Sequence, residues 1–302
     1  MARALVFAHY DQDGLCADYV VAALRQYRPV VDRLVVVSAS LKSLPPTLQP
    51  LIDTFIARDN VGYDFCSWRA GIESLGRLDA FAELICTNDS VYGPLADLAP
   101  VLADPRVAAA DLWGMCLSDQ GTGRRGRVSC PHLQSWFFAM RRPLLESPAF
   151  QGFWRSVVPL DLKDDIVDRY EIGMSEDFVR AGFRVAALYD AREHGPATGR
   201  ELWPHLSIRA PKRSWRHLRK ARRPRHNPSE CFPGRLLAAG VPFVKAGLFR
   251  VNHYGLNLGH VLDVVAAATP CHVPLIRQHL ARVGGNPLES AGIRAILSPP
   301  SR

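Results

Sequence analysis

The 302-residue sequence lacks any apolar run that approaches the roughly 20 residues a helix needs to span a bilayer. It also lacks a C-x-x-C pair, and its seven cysteines are scattered and odd in number. The first apolar stretch is too short for a signal peptide, because Asp11 and Asp13 interrupt it early. These absences exclude a disulfide framework and a zinc site of paired cysteines. They predict reduced thiols in a cytoplasmic protein.

Acidic residues are scarce in the last third of the chain. Residues 201–302 hold 16 Lys/Arg against 4 Asp/Glu, a net charge of +12, whereas the first 200 residues hold 21 against 25, a net charge of −4. Within that third, residues 209–226 contain nine Lys/Arg and no acid. Such asymmetry predicts an anionic partner: a membrane surface, a phosphorylated lipid or nucleic acid. The alternative is a solvated basic linker.

The spacing of apolar residues predicts strands that alternate with helices over about 190 residues. The predicted strands cover residues 3–10, 34–40, 54–60, 82–88, 111–118, 133–141 and 183–190. The predicted helices cover residues 16–27, 65–76, 95–103, 150–158 and 164–181. Such alternation is typical of an α/β protein with a mostly parallel sheet covered by helices on both faces. Two further helices are predicted at 255–269 and 272–284, so we expect a main domain at 1–195 and a basic, mainly helical extension at 196–302.

Polar residues cluster where three of the predicted strands end. In parallel sheets ligands bind beyond the carboxyl ends of the strands, at a topological switch point. We therefore expect the clusters to converge on one site. The clusters are His9-Tyr10-Asp11, the segment Arg58 to Asp64 and Asn88-Asp89-Ser90.

The segment RDNVGYD has a structural and a functional interpretation. Gly62 can supply a backbone angle that other residues disfavour, and Asp64 can cap the helix that follows. The structural interpretation explains less well why Arg58, Asn60 and Tyr63 all lie in the same turn. A turn rich in N–H donors beside an arginine suits a nucleotide or phosphate ligand.

Asp89 follows a buried strand inside the polar cluster CTNDS. One interpretation is a plain Asx-type turn at the strand end. The other makes Asp89 a ligand for Mg²⁺ or Mn²⁺ on a diphosphate, since hard cations take oxygen ligands. It could also accept hydrogen bonds from sugar hydroxyls.

The predicted helix at 164–181 supplies three candidate bases: Glu171, Glu176 and Asp177. Residues four apart on a helix share a face, so Glu171 lies near Ser175 while the other two acids point elsewhere. An acid beside apolar neighbours can act as a general base. His132, Gln134 and Arg141 flank another predicted strand, where each could equally be structural.

These segments together resemble the rhamnan synthesis protein F family. The matching motifs occur in family order over about residues 5–255: HYDQDG, RDNVGYDFCSWRAGIESLG, NDSVYGP, DLWGM, HLQSWFFAM, FQGFW, YEIGMS-DFVRAGF and GVPFVKAGLFRVN. The resemblance implies a sugar transferase of cell-surface polysaccharide assembly with dTDP-L-rhamnose as its usual donor.

A more distant likeness is to the large inverting GT-A glycosyltransferase family that includes cellulose synthases. Asn60-Val61-Gly62 matches its N-x-G, Asn88-Asp89-Ser90 occupies its D-x-D, and Glu171 lies eleven residues before the glycine of its A-G-[YF] turn. The likeness implies that Glu171 is the catalytic base. The D-x-D is reduced to N-D-S, which puts metal dependence in question, and a glutamate replaces the family's aspartate.

The resemblance thus implies an inverting glycosyltransferase with a GT-A-like domain. The expected donor contacts are His9, Tyr10, Asp11, Arg58, Asn60, Gly62, Tyr63, Asp64, Asn88, Asp89, Ser90, His132, Gln134 and Arg141. Asp89 would meet the diphosphate, through Mg²⁺ or Mn²⁺ if one binds; without a metal, Arg58, Arg141 or Arg142 would neutralise it.

The expected acceptor is a lipid-linked glycan at the inner face of the plasma membrane, with residues 209–226 on the anionic surface. A non-catalytic sugar-nucleotide or glycan-binding protein is one rival to this interpretation. A nucleic-acid-binding protein is the other, and it is disfavoured because no base-stacking aromatics or known module accompany the charge.

Overall fold

The computed structural model describes residues 2–125, 128–223, 225–286 and 288. Within these residues, eight strands form one central sheet with the order β3-β2-β1-β4-β8-β6-β7, and β9 pairs with β6. The strands are β1 (Arg3–His9), β2 (Arg33–Ser38), β3 (Thr54–Ala57), β4 (Glu83–Asn88), β6 (Leu112–Gln120), β7 (Ser129–Leu133), β8 (Phe137–Arg141) and β9 (Val185–Asp190). Two short strands, β5 (Val91–Tyr92) and β10 (Val244–Lys245), pair separately and antiparallel.

The sheet is mixed but mostly parallel. β3, β2, β1 and β4 run parallel, and β9 runs parallel to β6. β8 lies antiparallel between β4 and β6, and β7 continues antiparallel along β6. The prediction of a single strand at 133–141 was wrong, because β7 ends at Leu133 and β8 begins at Phe137. Periodicity missed this break because no Gly or Pro marks it.

Helices cover both faces of the sheet. The helices are α1 (Asp18–Tyr27), α2 (Tyr63–Ser74), α3 (Leu98–Leu102), α4 (Arg142–Leu145), α5 (Pro148–Ser156), α6 (Lys163–Ile166), α7 (Gly173–Arg180), α8 (Gly199–Leu202), α9 (Pro211–Ala221), α10 (Pro228–Cys231), α11 (Pro233–Ala238), α12 (Ala246–Val251), α13 (Leu258–Ala268) and α14 (His272–Val283). A π-helical turn, Val167–Ile172, joins α6 to α7. None of the helices in the described ranges is long and apolar enough to cross a bilayer.

Alternation along β1 builds two hydrophobic cores. Leu5 and Phe7 point into a cluster with α1 and the C-terminal helices, whereas Ala4 and Val6 point into a cluster with α2, α5 and α7. Residues after 195, such as Phe249, belong to the first cluster. The predicted α/β class and helical C-terminal region are therefore confirmed. The domain boundary at 195 stays a prediction, and residues on its two sides share one core.

The strand order creates a switch point between β1 and β4. From β1 the chain builds outward through β2 to β3, then returns to β4 on the other side of β1. The loops after β1 and β4 therefore diverge and leave a crevice at the carboxyl ends of these strands. Tyr10 follows β1 and Asp89 follows β4, so both residues lie at this crevice.

Candidate active site

A cavity of about 870 Å³ opens at this switch point. The loops after β1 and β4 and the start of α2 form one side of it, and the π-helical turn with Ser135 forms another. The C-terminal region closes the cavity through α10, α12 and α14. The basic extension therefore supplies walls of the cavity together with the sheet.

The N-D-S segment forms the cavity floor. Oδ2 of Asp89 accepts a hydrogen bond from the Tyr10 backbone N–H at 2.5 Å, which joins the ends of β4 and β1. The Asn88 amide donates to Asp64 at 2.8 Å, and its Oδ1 accepts from the Ser90 hydroxyl at 2.5 Å. Burial raises the pKa of Asp89 well above its usual range, and the negative charge of Asp64 raises it further.

A left-handed turn brings Asp64 to this floor. Gly62 precedes α2 with φ +75° and Tyr63 follows with φ +54°, so the chain reverses sharply after β3. A Cβ at Gly62 would contact Cys66 and lie 2.9 Å from Cα of Pro159, so only glycine fits. Burial raises the pKa of Asp64, although Asn88 donates a hydrogen bond to it.

Glu171 faces the cavity from the π-helical turn. Its Oε2 accepts hydrogen bonds from the Ser135 backbone N–H at 2.9 Å and from the Ser135 hydroxyl, and its Oε1 lies 3.6 Å from Nε2 of His132. Burial alone would raise the pKa of Glu171, but the nearby His132 ring and the hydrogen bonds from Ser135 outweigh it and lower this pKa to about 2. Single π-turns inside α-helices are frequent at functional sites.

The other two candidate bases lie outside the cavity. Glu176 pairs with Arg125 at 2.6 Å, and Asp177 pairs with Arg180 at 2.6 Å on the exposed side of α7. Neither carboxylate is among the cavity-lining residues. Of the three acids predicted on this helix, Glu171 is therefore the one placed for chemistry.

The sequence did not predict the three Lys and Arg residues that line the cavity: Lys163, Lys245 and Arg250. Nζ of Lys245 donates a hydrogen bond to the Ser90 hydroxyl at 3.0 Å, and Arg250 lines the same cavity from α12. Burial lowers the pKa of Lys245, while Glu171 and Glu230 act to raise it. Lys245 and Arg250 lie in GVPFVKAGLFRVN, a motif quoted above for the family resemblance, and that motif was the available signal for these two.

Asp11 lines the cavity but is held by an ion pair. Arg282 of α14 bonds both of its carboxylate oxygens and also reaches Asp13. Burial acts to raise the pKa of Asp11, but the hydrogen bonds from Arg282 and from the backbone N–H groups of Asp13 and Leu15 together outweigh it, so the pKa is lowered. This contact fastens the last described helix over the end of β1.

Several predicted donor contacts are not cavity-lining residues: His9, Arg58, Asn60, Gly62, His132, Gln134 and Arg141. Arg58 folds back, with Nη1 3.0 Å from Oγ of Ser67, and it also bonds the Val61 carbonyl. The amide of Gln134 donates to Asn227 at 2.7 Å. His9 is buried with Nδ1 2.9 Å from the Ser38 hydroxyl. Arg58, Gln134 and His9 are thus engaged by other protein groups.

Arg141 and Arg142 lie at the opposite edge of the sheet. Because β8 runs antiparallel to β4, Arg141 pairs in register with Glu83, the first residue of β4. Its guanidinium bonds the carbonyls of Val107, Ala108 and Ala110. Neither arginine can neutralise a diphosphate at the switch point from there.

The residues at the switch point do not fit a divalent cation held by several protein ligands. Among the described residues, no group of three or more His, Cys, Asp or Glu could hold a metal ion. Asp89 is the one carboxylate of N-D-S, and its Oδ2 is already bonded to Tyr10. The hydroxyl of Ser90 accepts from the Lys245 ammonium, so a positive charge already stands beside the motif.

A model of the family described as rhamnan synthesis protein F matches residues 34–290. The chain belongs to this family. Among curated proteins, "Uncharacterized protein y4gN" of Sinorhizobium fredii is 27% identical over 135 residues, 44% of this chain and 34% of that protein. "Virulence protein VirA" of Vibrio anguillarum is 25% identical over 142 residues, 45% of this chain and 42% of that protein. The matches span about a third to two fifths of these relatives.

Solved structures give fainter likenesses. A crystal structure of S. aureus TarS 1-349 is 10% identical with a TM-score of 0.39, covering 94% of this chain and 92% of that chain. The galactosyltransferase LgtC with donor and acceptor sugar analogs is 12% identical with a TM-score of 0.37, covering 88% and 96%. The fold of this family member is defined by its own strand order.

Proposed function

We propose that this protein is an inverting glycosyltransferase that moves a sugar from a nucleoside-diphosphate donor to a glycan acceptor. The observation that carries the proposal is the placement of Glu171 and Asp89 on one cavity at the switch point between β1 and β4. Nucleotides bind at such crevices in open α/β sheets. Membership of a family named for rhamnan synthesis supports the same class of reaction.

In this mechanism the donor lies over the ends of β1 and β4, beside Tyr10, Asp64 and Asp89. The acceptor hydroxyl attacks the anomeric carbon from the face opposite the diphosphate, and Glu171 takes its proton. The new carbon–oxygen bond forms as the bond to the diphosphate breaks, and the diphosphate keeps the electron pair. Glu171 is ionised at neutral pH, but its pKa of about 2 makes it a weak base. Proton transfer to it therefore comes late, once the attacking oxygen has become acidic by bonding to the anomeric carbon.

We propose L-rhamnose as the sugar, carried as dTDP-L-rhamnose. The family description supports this choice. Inversion from a β-linked donor would give an α-linked rhamnoside. The test is incubation of the full chain with dTDP-L-rhamnose, UDP-glucose or UDP-galactose, with a rhamnan-type glycan as acceptor. Release of dTDP and an α-rhamnosyl product seen by NMR are expected, and turnover of UDP-sugars alone would overturn the choice of sugar.

The acceptor is proposed to be a lipid-linked glycan at the inner face of the plasma membrane, reached through the exposed side of α9. This basic face consists of Lys212, Arg216 and Arg219 around Trp215, together with Arg222 and Arg223 directly after the helix. Trp215 is 62% exposed and nearby Ile208 is 69% exposed. Cations at an anionic surface contribute about 1 kcal/mol each, and tryptophan suits the interface.

The basic face lies close to the cavity. Nζ of Lys220, on the flank of α9, donates to the carbonyl of His253 at 2.8 Å, and His253 lines the cavity. A glycan on a membrane-embedded carrier would therefore approach the cavity from this side.

Vesicle flotation tests the membrane contact. The full chain should float with vesicles containing phosphatidylglycerol and not with phosphatidylcholine alone, and salt should weaken binding. Arg216→Glu/Arg219→Glu should abolish flotation, whereas the charge-matched control Arg155→Glu/Arg180→Glu, on exposed parts of α5 and α7, should not. Equal loss in both variants, or binding to RNA or DNA without vesicle binding, would contradict the proposal.

The rival of a non-catalytic binding protein is separated from an enzyme by donor hydrolysis. A transferase slowly passes its sugar to water when the acceptor is absent, whereas a binding domain leaves the donor intact. Intact dTDP-L-rhamnose after prolonged incubation, with binding measured in parallel, would favour the binding protein.

A further inference from the structure

Lys245 reaches the cavity through a tertiary contact between distant parts of the chain. β10 pairs antiparallel with β5, and the register places Lys245 opposite Val91, the residue after Ser90. Nζ of Lys245 then donates to the Ser90 hydroxyl at 3.0 Å. The ammonium group therefore stands at the third position of N-D-S, where the family pattern D-x-D has a carboxylate.

The ammonium group of Lys245 is half-buried and forms no ion pair within 4.0 Å with any carboxylate in the described part of the chain. The negative charges of Glu171, Glu230 and Asp64 act from farther away to raise its pKa. A charge removed from water without a bonded counter-ion is costly. Such a group is therefore well placed to bind an anionic ligand that enters the cavity.

Arg250 adds a second positive charge on the same side. It is exposed at the end of α12 and lines the cavity five residues after Lys245. Its backbone carbonyl accepts a hydrogen bond from the Asn286 amide, which fixes the chain at this point. An ammonium and a guanidinium on one wall suit the two phosphates of a nucleoside diphosphate.

We infer that Lys245, together with Arg250, binds the donor's diphosphate and stabilises its charge as it leaves, in place of a divalent cation. The inference rests on the proposed function. As the bond from the anomeric carbon to the diphosphate oxygen breaks, the electron pair remains on that oxygen. Hydrogen bonds from the ammonium group become stronger as this charge develops, while Lys245 keeps its protons.

Nucleotide binding in the absence of turnover tests the inference. dTDP is titrated into the full chain by calorimetry, with EDTA and again with Mg²⁺ or Mn²⁺. We expect dissociation constants within about threefold of each other. Binding that requires the metal would overturn the inference and leave the proposed function intact. If the wild-type chain bound neither dTDP nor UDP under any of these conditions, both the inference and the proposed function would be contradicted.

Three variants test whether Lys245 is the group that binds the diphosphate. Lys245→Met should weaken dTDP binding in EDTA about tenfold to a hundredfold, the effect of losing a charge-assisted hydrogen bond. Lys245→Arg should recover part of the loss. Lys42→Met removes the same charge from an exposed position that does not line the cavity, and it should bind like the wild type.

A folding control accompanies these titrations. Lys245→Met should unfold at or above the wild-type temperature, because it removes a half-buried charge that has no ion pair among the described residues. Wild-type affinity in a folded Lys245→Met variant would overturn the inference. Equal loss in Lys42→Met would also overturn it, since the effect would then be one of net charge.

Discussion

Nε2 of His132 lies 3.6 Å from Oε1 of Glu171, while Nδ1 of the same ring bonds the Cys130 carbonyl at 2.6 Å. A carbonyl oxygen only accepts, so Nδ1 carries a proton and donates it. Nε2 can then donate to Glu171 only when the ring is cationic. Burial acts to lower the pKa of His132, but Glu171 outweighs it and the pKa is raised. His132 therefore orients the proposed base from behind.

Replacing Glu171 with Gln should lower sugar transfer by about a hundredfold or more, the usual contribution of a positioned general base. Donor affinity should stay within about threefold, because Gln can still accept hydrogen bonds from Ser135. Transfer assays and dTDP titrations measure the two quantities. The matched control is Asp177→Asn, an exposed acid on α7 that should transfer normally. Wild-type turnover by Glu171→Gln would remove Glu171 from the mechanism.

His132→Gln should lower the free energy of unfolding by about 1–3 kcal/mol, with a distinctive pH dependence. A raised pKa means that the His132 contribution is complete below its ordinary value of 6.5 and is lost as pH rises through the folded-state value. The lowered pKa of Glu171 means that its contribution is complete above its ordinary 4.5 and is lost as pH falls towards about 2.

The difference between wild type and His132→Gln should therefore be largest between about pH 4.5 and 6.5 and smaller on both sides. Urea unfolding at a series of pH values measures it. A difference that is constant from pH 4 to 9 would show that the two groups do not form an ion pair.

Gly62→Ala should destabilise the protein and weaken nucleotide binding together. The left-handed backbone costs about 1–2 kcal/mol for a residue with a Cβ, and the overlap with Cys66 and Pro159 adds about 1–3 kcal/mol. Gly76→Ala is the matched control: φ is +66° there, and a Cβ would meet nothing within 4 Å. Urea unfolding should rank Gly62→Ala clearly below Gly76→Ala, and equal stability would contradict the close packing at Gly62.

Arg282→Gln should release α14 from the end of β1 and cost about 1 kcal/mol at neutral pH, since the pairs with Asp11 and Asp13 are partly exposed. The lowered pKa of Asp11 makes this contribution complete above its ordinary 3.8, so the cost should shrink as pH falls below that value. Unfolding at pH 7 and pH 3 measures the change. Arg77→Gln, whose partner Asp79 is at the surface, should have no measurable effect.

Local sequence patterns predicted most elements well. Short, continuous apolar runs located β1, β2 and β4, and helical periodicity located α1 and α2 to within a few residues. The polar ends of β1 and β4 were predicted to converge, and Tyr10 and Asp89 are hydrogen-bonded. This worked because parallel strands bring their carboxyl ends to one edge of the sheet.

Arg141 and Lys245 mark where local patterns fail. Side-chain alternation is the same in parallel and antiparallel strands, so the sequence could not reveal that β8 reverses and carries Arg141 to the far edge. Lys245 lies in a two-residue strand, too short for a periodic signal, and only its pairing with β5 brings it to Ser90.

By itself the sequence determined the α/β alternation, the polar N-D-S at the end of β4 and an acid at position 171 on a helix. These depend on contacts between near neighbours, which periodicity and turn chemistry encode. Only the tertiary structure decided which charges meet at the cavity: Asp64 and Lys245 enter it, while Arg58 and Arg141 bond elsewhere. Strand direction and long-range pairing make that choice, and they depend on the packing of the whole chain.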